Sequence, residues 1–225
     1  MDLLLAIFDV IGTIAFAISG AVCAIRHRMD LFGVLFLAVI TATGGGMLRD
    51  LIMGNIPPVM FRNPLYVFLA TLTGLAVFLF TLFSRRADPS RLHRAGRVFE
   101  EFLFWSDTLG LAAFTVDGAM LGIASSYGGN LFFDTTLAFL TGVGGGLLRD
   151  LLCAQKPDIF TKHVYALASI IGGLAASLVI DLAGAKNTGM VTGFLLVILI
   201  RFLARHFRWN LPRISPSESD SSASS

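Results

Sequence analysis

The residues able to do chemistry in this chain are charges and glycines set inside apolar runs. Two stretches carry both: TATGGGMLRDLI at 41–52 and TGVGGGLLRDLL at 141–152. Each places three adjacent glycines (Gly44, Gly45 and Gly46; Gly144, Gly145 and Gly146) just ahead of an Arg-Asp pair, Arg49-Asp50 or Arg149-Asp150. An interior glycine costs a helix about 1 kcal/mol relative to alanine, so three in a row predict a break or sharp kink. A break would leave carbonyl oxygens at the end of one half-helix, able to hold a cation. It would also leave N–H groups at the start of the next, which suit an anion. Thr41, Thr43 and Thr141 lie within a turn and add hydroxyl oxygens. The competing reading is close helix packing through small residues, which also fits Gly142-x-x-x-Gly146. For Gly118-x-x-x-Gly122 and Gly189-x-x-x-Gly193 packing is the preferred reading; for the duplicated triplets a functional break is preferred.

Adjacent residues point in different directions on a helix. The arginine and aspartate of each pair are therefore expected not to pair with each other. Each should seek a partner elsewhere, a carboxylate or an open carbonyl end; the alternative is headgroup contact at a span end. Asp9, Asp107 and Asp117 also stand in apolar surroundings. Intramembrane carboxylates usually face the bundle interior and mark an ion or substrate route, the alternative being a buried interhelical hydrogen bond. Asp134 and Asp181 lie near span ends and read as interfacial. Cys23 and Cys153 read as small buried hydrophobes, and no Cys/His spacing suggests zinc. His27, His93, His163 and His206 fall in loops or at span ends, and HExxH, GxSxG and a P-loop lysine are absent. An enzyme is not expected, and neither is a cofactor or a nucleic-acid partner.

The elements that must hold these residues are membrane helices. Of 225 residues, 55% are hydrophobic and 14% charged, and mean hydropathy is +0.77. A soluble domain carries nearer a quarter charged residues. About 20 mostly apolar residues cross a bilayer, and seven such spans are expected: 3–25, 31–52, 64–84, 102–124, 131–153, 164–180 and 188–207. The opening residues lack a basic leader and read as a retained first span. With the N-terminus outside, thirteen Lys and Arg fall at inner loops or the C-terminal end and two, Arg62 and Lys186, outside, apart from Arg49 and Arg149. By the positive-inside rule the N-terminus is outside and the C-terminus cytoplasmic. The stretch RRADPSRLHRAGR within 85–101 is a basic linker, read as an orientation signal or, more sharply, as contact with anionic lipid. The polar end SPSESDSSASS is expected to be disordered.

The chain also repeats itself. Asp9, Gly12, Ala15, Phe16, Gly20 and Ala21 match Asp107, Gly110, Ala113, Phe114, Gly118 and Ala119 at an offset of 98, with Asp117 where the first copy has Ser19. The glycine motifs match at an offset of 100, as do Pro57 and Pro157, while Tyr66 and Gly74 match Tyr165 and Gly173 at 99. Three spans per copy is an odd number, so the second copy enters the membrane inverted, an architecture found in many transporters. The expected layout is a first repeat over 1–84, the linker 85–101, an inverted repeat over 102–183, a seventh helix over 184–208 and a polar tail over 209–225. The fold class is all-α integral membrane protein with broken second and fifth helices.

The duplicated GGGMLRD and GGGLLRD, with DVIGTIAFAISGA at 9–21 and SDTLGLAAFTVDGA at 106–119, resemble the trimeric intracellular cation (TRIC) channel family in its prokaryotic branch. The likeness runs over about residues 3 to 207. It implies two inverted three-helix repeats plus a seventh helix, a homotrimer with a pore in each protomer, and passive conduction of monovalent cations, chiefly potassium, in a bacterial plasma membrane. Carried over, it places Gly44–Gly46 and Gly144–Gly146 at kinks along the pore, with Arg49, Asp50, Arg149 and Asp150 beside them. Some prokaryotic relatives are described as glycine transporters, so a secondary transporter of glycine or another small amino acid is the second reading. Half-helix N-termini would then bind the substrate carboxylate and an Asp its ammonium.

Overall fold

In a computed structural model, residues 3–87, 92–161 and 164–209 are described. Among them the elements are helical: α1 (Leu3–Arg26), α2 (Leu31–Ile52), α3 (Val59–Arg62), α4 (Leu65–Ala87), α5 (Leu92–Ile123), α6 (Leu131–Leu152), α7 (Asp158–Thr161), α8 (Tyr165–Ala183) and α9 (Lys186–His206). Six of these are long and apolar enough to cross a membrane: α1, α2, α4 over Leu65–Ser84, α6, α8 and α9. The remaining long helix, α5, spans 32 residues and carries Asp107 and Asp117 in its apolar part. The expected linker is largely helical, since α4 runs to Ala87 and α5 starts at Leu92. Its centre, 88–91, and the expected disordered tail from 210 onward lie outside the described residues.

Matching elements start in matching ways. Asp30 accepts the Gly33 N–H at 2.8 Å ahead of α2, and Asn130 accepts the Phe133 N–H at 3.2 Å ahead of α6. Each side chain satisfies an N–H that the helix itself leaves free. α1, α2 and α4 pack on one another, as do α5, α6 and α8. The two groups meet where α2 crosses α6 and α1 lies along α5, while α9 packs on α8 and α5. Small residues set the spacing. A Cβ on Gly20 would stand 2.5 Å from the Leu37 carbonyl oxygen, and one on Gly118 2.6 Å from that of Leu137. Gly74 lies against Ala38 and Gly173 against Ala138. Each helix thus approaches its neighbour's backbone at matching positions in the two groups. Gly118, Gly122, Gly189 and Gly193 all face a neighbouring helix at close range, the packing role expected for them.

The expected break at the triple glycines does not occur. α2 and α6 each run as one α-helix through Gly44–Gly46 and Gly144–Gly146. The reason is the crossing itself. A methyl on Gly45 would collide with the Thr141 carbonyl oxygen, and one on Gly145 with that of Thr41. The missing side chains let the two backbones touch, and this close packing outweighs the poor helix propensity of glycine.

Candidate functional site

The charged motifs form two buried networks, one on each side of that crossing. At the end of α6, Arg149 is 1% exposed. Its Nε donates to Asp150 Oδ1 at 2.8 Å and its Nη1 to Asp107 Oδ1 at 2.7 Å and to the Ser19 hydroxyl. Asp158 lies 3.7 Å from Nη2. At the end of α2, Arg49 donates through Nε to Asp50 Oδ1 at 3.0 Å and through Nη1 to Asp117. Asp9 neighbours both Asp117 and Arg49 and accepts the Tyr66 hydroxyl at 3.2 Å. The exchange is reciprocal: Arg149 reaches Ser19 on the first group's α1, and Arg49 reaches Asp117, Ser19's repeat mate, on α5.

Arg49 and Asp50, like Arg149 and Asp150, do pair with each other, against expectation. The long guanidinium stem curls back around the helix and Nε and Nη2 meet the next carboxylate, while Nη1 is left for a second partner. Burial of all four residues also excludes headgroup contact. The second oxygen of each Asp pins the following loop: Asp50 Oδ2 accepts the Val59 N–H at 2.7 Å and Asp150 Oδ2 the Asp158 N–H at 2.7 Å. Each motif therefore joins a helix end, its next short helix and the opposite group. A guanidinium forks to two carboxylates in a way an ammonium cannot.

Thr41, Thr141 and Thr43 donate to the carbonyls of Leu37, Leu137 and Val39, one turn back in their own helices, at 2.6, 2.6 and 2.8 Å. Between the two charged networks stands a pair of aromatic repeat mates. Phe16, fully buried, and Phe114 lie with ring centroids 5.3 Å apart. Phe16 packs against Gly110 and Gly145, and Phe114 against Gly12.

Three features of the site go beyond what the sequence suggests. Asp134, in the first turn of α6, is fully buried within the protein, held against Gly122, because α5 and α6 approach closely there. Arg201, which reads as an orientation charge, is 4% exposed. It sits 3.5 Å from Asp107 Oδ2, donates to the Thr108 hydroxyl at 3.3 Å and covers the Tyr165 ring at 4.6 Å. Its sequence signal is its position four residues inside Arg205, deeper than a headgroup arginine needs. Finally, a cavity of ≈ 340 Å³ opens beside Asp107, lined by Arg26, Glu100, Phe104, Asp158, Arg201 and Arg205 among others.

Fold and site together define a multi-pass helical membrane protein with charge buried at depth. The family model described as Glycine transporter matches residues 6–81 and 104–181, the two halves of the internal repeat. The UPF0126 membrane protein YvgT of Bacillus subtilis is 34% identical over 210 residues, covering 93% of this chain and 96% of the relative. A Deinococcus radiodurans UPF0126 membrane protein is 36% identical over 208 residues, 91% and 89% of the two chains. The inner membrane protein YadS of Escherichia coli K12 is 32% identical over 211 residues, 93% and 96%. Among solved structures, a TRIC cation channel studied for the basis of its conductance superposes with TM-score 0.79 at 35% identity, covering 94% of this chain and 98% of that one. A prokaryotic TRIC channel crystallised in 0.5 M KCl gives 0.82 at 29%, with 94% and 100% covered. The TRIC orthologue of Rhodobacter sphaeroides gives 0.78 at 29%, with 92% and 100%. The chain belongs to the prokaryotic branch of the TRIC family, within the UPF0126 membrane proteins.

Proposed function

We propose that the chain is a passive cation channel with a pore through each protomer, preferring potassium. It crosses the plasma membrane seven times as two inverted three-helix repeats plus α9, N-terminus outside and C-terminus cytoplasmic, and assembles as a homotrimer among membrane lipids. The solved relatives at 29–35% identity described as TRIC channels support conduction and trimer.

The observation that carries the reading is the pair of charged networks. Asp107 and Asp117 are ten residues apart on α5, about 15 Å along a helix, half the thickness of a hydrocarbon core of about 30 Å. One network sets Asp9, Asp50 and Asp117 against Arg49. The other sets Asp107, Asp150 and Asp158 against Arg149 and Arg201. Both are rich in carboxyl oxygens, ligands that suit cations better than anions. The route runs from the cavity at Asp107, past the Phe16–Phe114 pair and the glycine crossing, to Asp117 and Asp9. In the conformation described the crossing is closed by backbone contact, so conduction requires α2 and α6 to part. Glycines suit that role, because no interlocked side chains resist separation.

Uptake of glycine is the second reading, favoured by the family model's description. Continuous α2 and α6 count against it, since the N–H groups a substrate carboxylate would need are engaged within the helices. Reconstitution in liposomes separates the two. The channel reading expects potassium flux without a second gradient; glycine accumulation driven by a proton or sodium gradient, without conductance, would replace it.

A further inference from the structure

The two cysteines, 130 residues apart, meet in the fold. Cys23 lies near the C-terminal end of α1 and Cys153 caps α6. Their Sγ atoms are 3.0 Å apart and both residues are buried. His27, one turn beyond Cys23, brings Nδ1 to 3.8 Å from the Cys23 sulfur. The two sulfurs and an imidazole nitrogen all lie within 4.8 Å of one another. His27 is exposed in the loop after α1, so the group is reached from the surface of the protein while the sulfurs stay buried.

We propose that Cys23, Cys153 and His27 form a binding site for zinc(II) or a similarly thiophilic divalent ion. Packing alone does not call for two thiols here: by the repeat offsets their mates are Leu121 and Met53, ordinary apolar residues. Thiolate and imidazole are the donor set that selects zinc. Binding releases the two thiol protons, and two thiolates then balance the two positive charges of the ion. The buried site gains no net charge, whereas a monovalent ion would leave one negative charge uncompensated. A tetrahedral ion with Zn–S bonds of about 2.3 Å needs sulfurs about 3.8 Å apart, a separation that small side-chain rotations provide. The His27 Nδ1 now donates to the Cys23 carbonyl oxygen at 2.9 Å, and binding exchanges that bond for one to the ion. An outer partner is already in place. Gln155 Nε2 donates to Asp150 Oδ1 at 2.7 Å and contacts the Cys23 sulfur at 3.8 Å, and such partners orient metal ligands. The filled site leaves one coordination position for water and ties α1 to α6 beside the Arg149–Asp150 pair. It stands independently of what the channel conducts.

The test uses the full-length protein purified under reductant and freed of metal. Zinc is titrated in competition with a chromophoric chelator, and cobalt(II) is added as a spectroscopic probe. One ion per chain is expected, with thiolate-to-cobalt charge-transfer absorption that disappears in Cys23→Ser and in Cys153→Ser. His27→Ala should weaken zinc binding by about tenfold or more, at least what the loss of an outer-shell partner costs a metal site. The double variant Cys23→Leu plus Cys153→Met copies the residues of the other half, should fold, and should bind no zinc. The proposal is overturned if reduced wild type binds zinc no better than that double variant. Peptide mapping that finds a Cys23–Cys153 disulfide in protein taken directly from cells would equally overturn it, making the pair a cross-link.

Discussion

Arg149 donates to Asp107, Asp150 and Ser19 from a position closed to solvent. Removing one partner of a buried ion pair leaves a charge uncompensated and costs about 3–5 kcal/mol. Arg149→Gln should therefore lower the thermal midpoint of the detergent-solubilised protein sharply. Arg201→Gln should do so less, since its nearest carboxylate is 3.5 Å away and Asp107 keeps Arg149; differential scanning of the two variants checks the order. Asp117→Ser copies Ser19, the residue that serves the same place in the other half. The fold should survive, because Arg49 retains Asp50 at 2.9 Å, but potassium flux should fall. At this scale the sequence is informative where a charge interrupts apolar residues: Asp9, Asp107, Asp117, Arg49 and Arg149 all stand out in it, and all lie in the networks. Ser19 and Tyr165 carry no such signal, because serine and tyrosine are ordinary in a span. The pairing of Arg49 with Asp50 escapes a spacing argument because helix spacing describes where a side chain starts, and a guanidinium reaches well beyond it.

The elements translate these contacts into shape. α2 and α6 touch at Gly45 and Gly145, where a side chain has no room. A methyl there forces the helices apart at a cost of about 1–3 kcal/mol, so Gly45→Ala and Gly145→Ala should each lower stability, and the two together should shift conduction as well as melting. Gly46 offers the contrast. A Cβ there would meet nothing closer than the Arg49 guanidinium at 3.7 Å, so Gly46→Ala should leave the melting temperature unchanged or raise it, alanine being the better helix former. Asp150→Asn should loosen the loop into α7, whose Asp158 N–H it accepts, seen as faster amide exchange around 153–161. The glycine triplets are legible as special in the sequence, yet the break they suggest is absent. Helix propensity is a local quantity, and the compensating contact comes from a helix a hundred residues away. The short helices α3 and α7 are hidden for the same reason, each being pinned at its start by an aspartate of the preceding motif.

For the whole molecule, the repeat is legible from matched residues alone, and the contacts follow it: Arg49 with Asp117, Arg149 with Ser19, Gly20 and Gly118 each against the next helix. What breaks the symmetry is less legible. α9 packs on α5 and α8 and supplies Arg201 to one network alone, and nothing in a single helix reveals which side it will cover. The proposed assembly predicts a particle of three chains by light scattering with detergent subtracted, and a stable monomer would rule the trimer out. Conduction as proposed takes cations past the two carboxylate-rich networks through a crossing that must open. Recording unitary currents in planar bilayers, wild type against Asp117→Ser, tests this most directly. Cation-selective currents in potassium are expected, with smaller unitary conductance in the variant at unchanged protein content. Equal conductance in the two proteins, or currents carried by chloride, would contradict it.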